Sequence, residues 1–274
     1  MGHGFSALGN PAYNQYFDSL AQYLREFQRV FTLSPLLEER GFCLQHGMPN
    51  PVVVPNGVDK DEWDQPPTDV RTAWNIGSAP WVLSVSNHST VKRHSVFFTV
   101  LDGIRKALPA AKGTILGGHY PAARWQLGRA GIKGGCWYEC QARVLFQSAV
   151  SLRQEAARER VVSAVRQADV VLVTSSREAS PLVVLESMAA GTPWVSMDLG
   201  CVRENSGGVV VSSPGEMVSV TLELLKDPQR REQLGHEGRA AAIERHNWDR
   251  IAETYEKQCF LVTQAAGRQK GIGA

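Results

Sequence analysis

The sequence predicts an α/β fold in which a Rossmann-like parallel sheet is flanked by helices. From about Trp81 onward, short apolar runs alternate with longer segments of helical periodicity. Successive runs lie roughly 30 residues apart, which is the length of a strand-helix-strand unit. The composition of 43% hydrophobic and 20% charged residues is ordinary for a globular chain. Sheets of this kind bind ligands at the carboxyl ends of their strands, so a site is expected there.

Six apolar runs predict the strands, and two four-residue periodicities predict helices between them. The predicted strands are residues 81–86, 113–116, 144–146, 170–174, 194–197 and 209–211. The helical periodicities are carried by Val96, Val100, Ile104 and Leu108, and by Ala157, Val161 and Val165. Two further helices are predicted over residues 230–245 and 248–262. The elements after residue 65 therefore indicate one sheet domain over 66–247, followed by a C-terminal helix over 248–274.

The first 65 residues have a different pattern and predict a separate small part of the fold. A stripe of apolar side chains at helical spacing predicts one helix whose stripe belongs to the core. The stripe consists of Tyr13, Tyr16, Phe17, Leu20, Tyr23, Leu24, Phe27 and Val30. The polar, proline-bearing stretch 59–68 is interpreted as a linker to the sheet domain.

Charge and cysteine content limit the classes of ligand. The 29 lysine and arginine residues against 27 acidic ones leave a net charge of +2, so no broad basic field indicates nucleic acid. Five scattered cysteines favour free thiols in a reducing compartment. Cys136 and Cys140 are the only close pair, and no second Cys/His pair stands out, so no metal site is expected. No apolar run approaches the ~18 residues of a membrane span.

The segment 168–193 is the most informative part of the chain. A buried strand runs into a polar loop, and a helix then begins with Ser180 as its predicted N-cap and ends at Gly191. The first backbone N–H groups of that helix, those of Leu182 and Val183, would face the carboxyl end of the strand, where an anion is favoured. Glu178 lies in the loop, eight residues before Glu186.

Glu186 lies inside that otherwise apolar helix, and two interpretations are open. A carboxylate there needs a partner, because burying it unpaired costs several kcal/mol. It pairs with a neighbouring arginine or lies at a partly exposed position in one interpretation, and it contacts a ligand in the other. Together with the loop and Met-Ala-Ala-Gly-Thr-Pro after it, the segment resembles the E-x7-E signature of family 4 retaining glycosyltransferases of the GT-B fold. The resemblance implies that Glu178 lies near the donor sugar and that Glu186 holds the nucleotide ribose.

Other segments resemble the same family in the same order. Residues 55–59, Pro-Asn-Gly-Val-Asp, resemble the marker between its two domains, and Gly117-Gly118 resembles its glycine-bearing loop near the nucleotide. The stretch from Gly200 to Glu204 resembles the loop beside the donor, which implies donor binding by Glu204. Asn247-Trp248 resembles the start of the closing helix, which returns to the acceptor-side domain in the family.

The loop after the first predicted strand resembles the family's diphosphate-binding segment with two departures. Lys92 matches the family lysine, whereas Asn87 stands where arginine is usual and Arg93 where glycine is usual. Arg93 is one candidate to replace the missing cation. Because it directly follows Lys92, its side chain would point away from the diphosphate unless the loop bends. In this interpretation Lys92 stabilises the leaving diphosphate, and Asn87 and Arg93 bind the donor.

The resemblance implies transfer of a sugar from a nucleoside diphosphate sugar to a carbohydrate or lipid-linked acceptor, with retention and without a cofactor or metal. His3-Gly4 resembles the acceptor-side element whose histidine faces the donor sugar, so His3 is a further catalytic candidate. Most of the acceptor-side domain is not recognisable in residues 1–65, so a separate acceptor domain is a possible partner. The expected location is cytoplasmic, with peripheral attachment to the inner membrane face left open.

Two alternatives to transferase activity are weighed. One is a non-catalytic remnant that binds nucleotide or a partner protein. The other is a dinucleotide-dependent oxidoreductase, which is disfavoured because no G-x-G-x-x-G follows a strand.

Overall fold

A computed structural model describes residues 11–48, 51–118, 136–154 and 157–271. The strands in chain order are β1 (Phe31–Thr32), β2 (Val52–Val53), β3 (Trp81–Val85), β4 (Lys112–Leu116), β5 (Val150–Arg153), β6 (Val170–Val173), β7 (Trp194–Met197) and β8 (Gly208–Val211). The helices are α1 (Asn14–Leu24), α2 (Glu38–Gln45), α3 (Lys60–Asp64), α4 (Val70–Ala73), α5 (His94–Ala107), α6 (Trp137–Phe146), α7 (Arg158–Gln167), α8 (Leu182–Ala190), α9 (Pro214–Lys226), α10 (Pro228–Arg245) and α11 (Trp248–Gly271).

Six strands form one parallel sheet in the order β5-β4-β3-β6-β7-β8, which confirms the predicted fold class. Alternate residues of β3 point to opposite faces, as the two-residue period of a strand requires. Trp81 and Leu83 enter the core formed with α7, α8 and α10, while Val82 enters the core formed with α5 and α9. Both faces are therefore buried, which explains why the central strands are continuous apolar runs.

One predicted strand is wrong. Residues 144–146 form the last turn of α6, and the side chains of Leu145 and Phe146 are 83% and 89% exposed. The edge strand is β5 instead, which begins four residues later and pairs with β4. A run of three apolar residues does not distinguish a helix end from a strand, and an edge strand needs fewer apolar side chains than a central one.

The N-terminal segment contains α1, α2 and a two-stranded parallel pair, β1 with β2. The prediction that the whole aromatic stripe is core is wrong, because α1 buries only Phe17 and Ala21. Phe17 packs on Phe42 of α2 with ring centroids 5.6 Å apart. By contrast, Tyr16 is 53% exposed. Only one face of α1 packs against the protein, and residues three or four positions apart lie on the same face of a helix. Phe17 and Ala21 therefore lie on the packed face, whereas Tyr16 does not.

The predicted linker 59–68 contains α3, so the interpretation of that stretch as plain linker is wrong. Asp59 caps α3 by accepting a hydrogen bond from the Asp61 backbone N–H at 2.9 Å. Trp63 of α3 is 1% exposed and belongs to the same core as α8. The buried indole anchors the stretch to the sheet domain. The sequence does not indicate this contact, because the residues around Trp63 are polar.

The Pro-Asn-Gly-Val-Asp segment is attached to the end of α10. The backbone N–H of Val58 donates to the carbonyl of His246 at 2.7 Å, and the His246 Nδ1–H donates to the carbonyl of Asn56 at 3.0 Å. Burial lowers the pKa of His246. Gly57 lies so close to Trp248 that an added Cβ would come within 2.7 Å of the indole. This junction fixes where α11 begins.

Helix α11 runs from the junction to the N-terminal segment, where Tyr255 packs on Phe31 with ring centroids 4.7 Å apart. Within the part of the chain that the structure describes, no helix combines the length and apolar character needed to cross a membrane.

Candidate active site

A cleft of about 1100 Å³ lies at the carboxyl ends of the central strands. The chain leaves β3 toward β4 on one side, while β6 lies on the other side of β3, so the strand order reverses here. Such a reversal opens a crevice where α/β proteins bind ligands. Ser86, Lys92 and Glu178 line the wall formed by the sheet domain. Tyr16 and Phe31 line the opposite wall, formed by the N-terminal segment.

The predicted lysine and the first predicted glutamate meet in this cleft. Nζ of Lys92 lies 2.5 Å from Oε1 of Glu178, and the Ser175 hydroxyl donates to the same oxygen at 2.8 Å. The Glu178 side chain is 7% exposed and that of Lys92 is 23% exposed. Thr174 fixes the lysine loop, because its hydroxyl donates to the Lys92 carbonyl at 2.8 Å. The loops that follow the neighbouring strands β3 and β6 therefore bring a cation and a carboxylate into contact in the cleft.

Helix α8 begins beside this pair. Ser180 is not its N-cap as predicted, because Pro181 occupies the capping position and the helix starts at Leu182. Pro181 has extended backbone angles, which place the ring one residue before the helix, and Ser180 instead contributes its carbonyl to the Asn56 side-chain N–H at 3.4 Å. The N–H groups of Leu182 and Val183 lie in the first turn, where an α-helix leaves its donors unpaired. Both residues line the cleft.

Glu186 has the arginine partner that the sequence analysis leaves open. Nη1 of Arg158 lies 2.7 Å from Oε1 of Glu186, and Arg158 also forms a two-pronged contact with Glu62 at 2.7 and 2.6 Å. The guanidinium lies over the Trp63 ring, 5.4 Å from its centroid. Burial raises the pKa of Glu186, and Arg158 opposes that rise.

Sequence reasoning missed Arg158 entirely. The residue lies 28 positions before Glu186, at the first position of α7, and nothing in its neighbourhood marks it as part of a site. The predicted periodicity of Ala157, Val161 and Val165 locates α7, although only Val165 of the three is buried and Ala157 lies one residue before the helix. It does not identify the residue at the beginning of that helix as part of a site.

The two departures from the family's lysine loop have structural accounts. Arg93 has φ 47° and ψ 49°, the left-handed conformation that glycine adopts most easily, which explains why glycine is usual there. Its Nε donates to the carbonyl of Thr174 at 2.9 Å, so the side chain is held against β6. Oδ1 of Asn87 is buried and has no hydrogen-bond partner among the described residues.

The remaining predicted residues lie beside the cleft or outside the described residues. Gly117 packs on the backbone of Ser86, and the carbonyl of Gly118 accepts a hydrogen bond from the backbone N–H of His88 at 3.0 Å. Oε2 of Glu204 accepts from the Ser34 hydroxyl at 2.5 Å, which joins the loop after β7 to the N-terminal segment. The candidate His3 lies outside the residues that the structure describes.

Residues 79–227 match the family model described as "Glycosyl transferases group 1", which is more than half of the chain. The chain belongs to this family. The predicted resemblance is thereby confirmed, and the matched residues include β3 to β8, Lys92, Glu178 and Glu186.

Curated relatives of this group 1 glycosyltransferase chain are longer than the chain itself. A D-inositol 3-phosphate glycosyltransferase from Xylanimonas cellulosilytica is 32% identical over 216 residues, which cover 73% of this chain and 48% of that protein. The chain thus spans about half the length of this relative.

Solved structures confirm the GT-B fold of this group 1 glycosyltransferase chain. The sucrose-phosphate synthase of Thermosynechococcus elongatus superposes with a TM-score of 0.75 at 20% identity, covering 92% of this chain and 62% of that one. Alr3699/HepE of Anabaena, in complex with UDP, gives a TM-score of 0.76 at 17% identity, covering 93% and 70%.

Proposed function

We propose that this chain binds a nucleoside diphosphate sugar and transfers the sugar to an acceptor hydroxyl with retention of the anomeric configuration. The observation that carries the proposal is the Lys92–Glu178 pair at 2.5 Å, beside the first turn of α8 in the cleft. A cation and free backbone N–H groups suit a diphosphate, and a carboxylate beside them suits the hydroxyl groups of a sugar.

In the proposed reaction, the bond between the anomeric carbon and the diphosphate oxygen breaks, and its electron pair leaves on the diphosphate. The acceptor oxygen forms the new bond on the same face of the sugar, and its proton passes to the departing diphosphate oxygen. Negative charge grows on the leaving group, so Lys92 and the N–H groups of Leu182 and Val183 act where stabilisation is needed. Loss of one such preorganised donor costs about 3 kcal/mol in other enzymes.

Glu186 is proposed to bind the ribose hydroxyls of the nucleotide. Because Arg158 holds the same carboxylate at 2.7 Å in the structure, ribose binding requires Glu186 to share or exchange that partner. Arg158 keeps two contacts to Glu62 while this happens, so its charge is not left unpaired. We therefore expect Glu186 to contribute to nucleotide affinity more than to the chemical step.

The positive charge for the diphosphate comes from Lys92 and the α8 terminus in this proposal, so no metal ion at the diphosphate and no organic cofactor are required. The acceptor is proposed to be a carbohydrate or lipid-linked hydroxyl, held with the help of an acceptor domain of the GT-B type. UDP is the first nucleotide to test, because the similar fold of HepE is seen with UDP.

Calorimetric titration of the purified chain with UDP, GDP, ADP and NAD tests the proposal. One nucleoside diphosphate is expected to bind, and Lys92→Ala and Glu186→Gln are each expected to weaken it by about tenfold or more, the effect of a lost charged hydrogen bond. Lys226→Ala and Glu223→Gln on α9 are matched controls, because both residues are exposed and lie outside the cleft. The controls are expected to bind like the unmodified chain.

The outcomes separate the alternatives. Failure of every nucleoside diphosphate to bind a folded chain would contradict the proposal and support the non-catalytic remnant. Preference for NAD would support an oxidoreductase instead. Equal weakening by the α9 controls would show that the effect does not come from the cleft.

A further inference from the structure

Four metal-binding side chains meet beneath the loop that joins β3 to α5. They are His88, His94, Cys136 and Cys140, which are 3%, 0%, 7% and 1% exposed. One nitrogen or sulfur atom from each lies within 4.8 Å of all the others. Sequence analysis predicts no metal site because it finds no second pair near the two cysteines, and the fold supplies that pair from a distant loop.

The distances between these atoms match those of ligands around one tetrahedral metal ion. Zinc bonds of about 2.0 Å to nitrogen and 2.3 Å to sulfur place two nitrogens about 3.3 Å apart and a nitrogen and a sulfur about 3.5 Å apart. The two Nδ1 atoms of His88 and His94 are 3.2 Å apart. Cys136 Sγ lies 3.3 Å from Nδ1 of His94 and 3.9 Å from Nδ1 of His88, and Cys140 Sγ lies 3.7 Å from Nδ1 of His94.

We propose that His88, His94, Cys136 and Cys140 bind one zinc ion in a closed structural site. Two imidazoles and two thiolates are a donor set typical of structural zinc. Four protein ligands fill the tetrahedron and leave no open position for water, so the ion does not take part in the transfer chemistry.

Neighbouring side chains hold the histidines in orientations that suit such an ion. Ser86 Oγ lies 2.8 Å from Nε2 of His94. With Nδ1 bound to the ion, Nε2 carries the proton and donates it to this hydroxyl. The imidazole of His88 packs edge-to-face on Trp137, with ring centroids 4.7 Å apart and an interplanar angle of 80°. The orientation of both rings is thus fixed by contacts outside the cluster.

The site would tie together two segments that are 48 positions apart in the chain at His88 and Cys136. One segment is the loop that carries Lys92, two residues before His94, and the other is the start of α6. Closing a long loop through a metal ion stabilises the folded state, because the unfolded chain binds the ion poorly. The ion would therefore position the loop that carries Lys92 without contacting a substrate. This consequence rests on the proposed function, whereas the proposal of zinc binding is independent of it.

Metal analysis of the reduced, tag-free chain purified from zinc-supplemented medium tests the site. About one zinc ion per chain is expected. Cys136→Ser and His94→Gln are expected to lose the ion, whereas Cys259→Ser and His236→Gln are expected to keep it, because the latter two residues are exposed and lie on α11 and α10. A folded, reduced wild-type chain with zinc well below one equivalent would overturn the proposal.

Cobalt substitution makes the test independent of whether the variants fold. Replacing zinc with Co²⁺ in the wild-type chain is expected to give visible d–d bands of a tetrahedral ion and a thiolate-to-cobalt absorption band. Absence of both in folded protein would overturn the proposal. So would a thiol count showing that Cys136 and Cys140 form a disulfide in the chain purified without oxidant. Nucleotide titration of the same samples separates this result from a failure of the proposed function.

Discussion

Replacing Gly117 with alanine is expected to destabilise the fold strongly, although the residue stands in a loop. An added Cβ would lie 2.0 Å from the carbonyl oxygen of Ser86, and real Cβ atoms essentially never come closer than 3.0 Å to such an atom. The two backbones must therefore separate by about 1 Å, well outside ordinary packing tolerance. The obstacle is backbone, so no side-chain rotation can relieve it.

The expected cost follows from what this separation breaks. The backbone N–H of Ser86 donates to the carbonyl of Leu116 at 2.9 Å, and the N–H of His88 donates to Gly118 at 3.0 Å. Losing two such bonds costs about 2 kcal/mol, and the remaining strain adds about 1 kcal/mol. A total of about 3 kcal/mol corresponds to a lowering of the Tm by about 6–12 °C for a chain of this size.

Urea and thermal unfolding followed by circular dichroism measure the effect, with Gly118→Ala as the matched control. An added Cβ at Gly118 meets no atom of the described residues within 4 Å, so this variant is expected to be as stable as the wild type or up to about 1 kcal/mol more stable. A Gly117→Ala variant within about 0.5 kcal/mol of the wild type would refute the close-contact argument. The role of this glycine pair near the nucleotide stays a prediction, which nucleotide titration of Gly118→Ala tests.

Three further predictions concern strain and titration. Arg93→Gly is expected to be about 1 kcal/mol more stable than Arg93→Ala in urea unfolding, since both lose the bond to Thr174 but only glycine tolerates φ 47° freely; equal stability would contradict this. Burial raises the pKa of the Glu186 carboxyl in the folded chain above the ordinary glutamate pKa of ~4.3. The free energy of unfolding should therefore fall as pH rises above that ordinary pKa, and it should fall less in Glu186→Gln; identical pH profiles would argue against it. Burial lowers the pKa of His246, so the unfolded chain binds a proton first and stability should fall as pH drops below ~6.5, a fall that His246→Gln should reduce; an unchanged profile in that variant would contradict the assignment.

The sequence was sufficient to predict the central strands and the strand-loop-helix unit around Glu178. Strands buried on both faces are read directly as apolar runs, and β7 lies at its predicted bounds of residues 194–197. The helix after the loop ends where Gly191 takes φ 69°, a conformation that few other residues adopt. Local chemistry dictates these features, so local patterns predict them.

Features that depend on contacts between distant segments could not be predicted in the same way. Arg158 reaches Glu186 because α7 and α8 lie side by side, and neither residue signals the other along the chain. Likewise, His94 and Cys140 are 46 positions apart and meet only because α5 and α6 converge beneath one loop. Even the exposure of Phe146 depends on where the chain turns toward β5, not on its own apolar neighbours.

Two carboxylates in the cleft that are proposed to bind the donor each form an ion pair. Lys92 is held by Glu178, and Glu186 by Arg158. Under the proposed function, an arriving diphosphate competes with Glu178 for the lysine, and the carboxylate it displaces becomes free to accept hydrogen bonds from the sugar. Donor binding and release of the carboxylate would then be a single exchange of partners, so a nucleotide lacking its diphosphate would leave the Lys92–Glu178 pair intact.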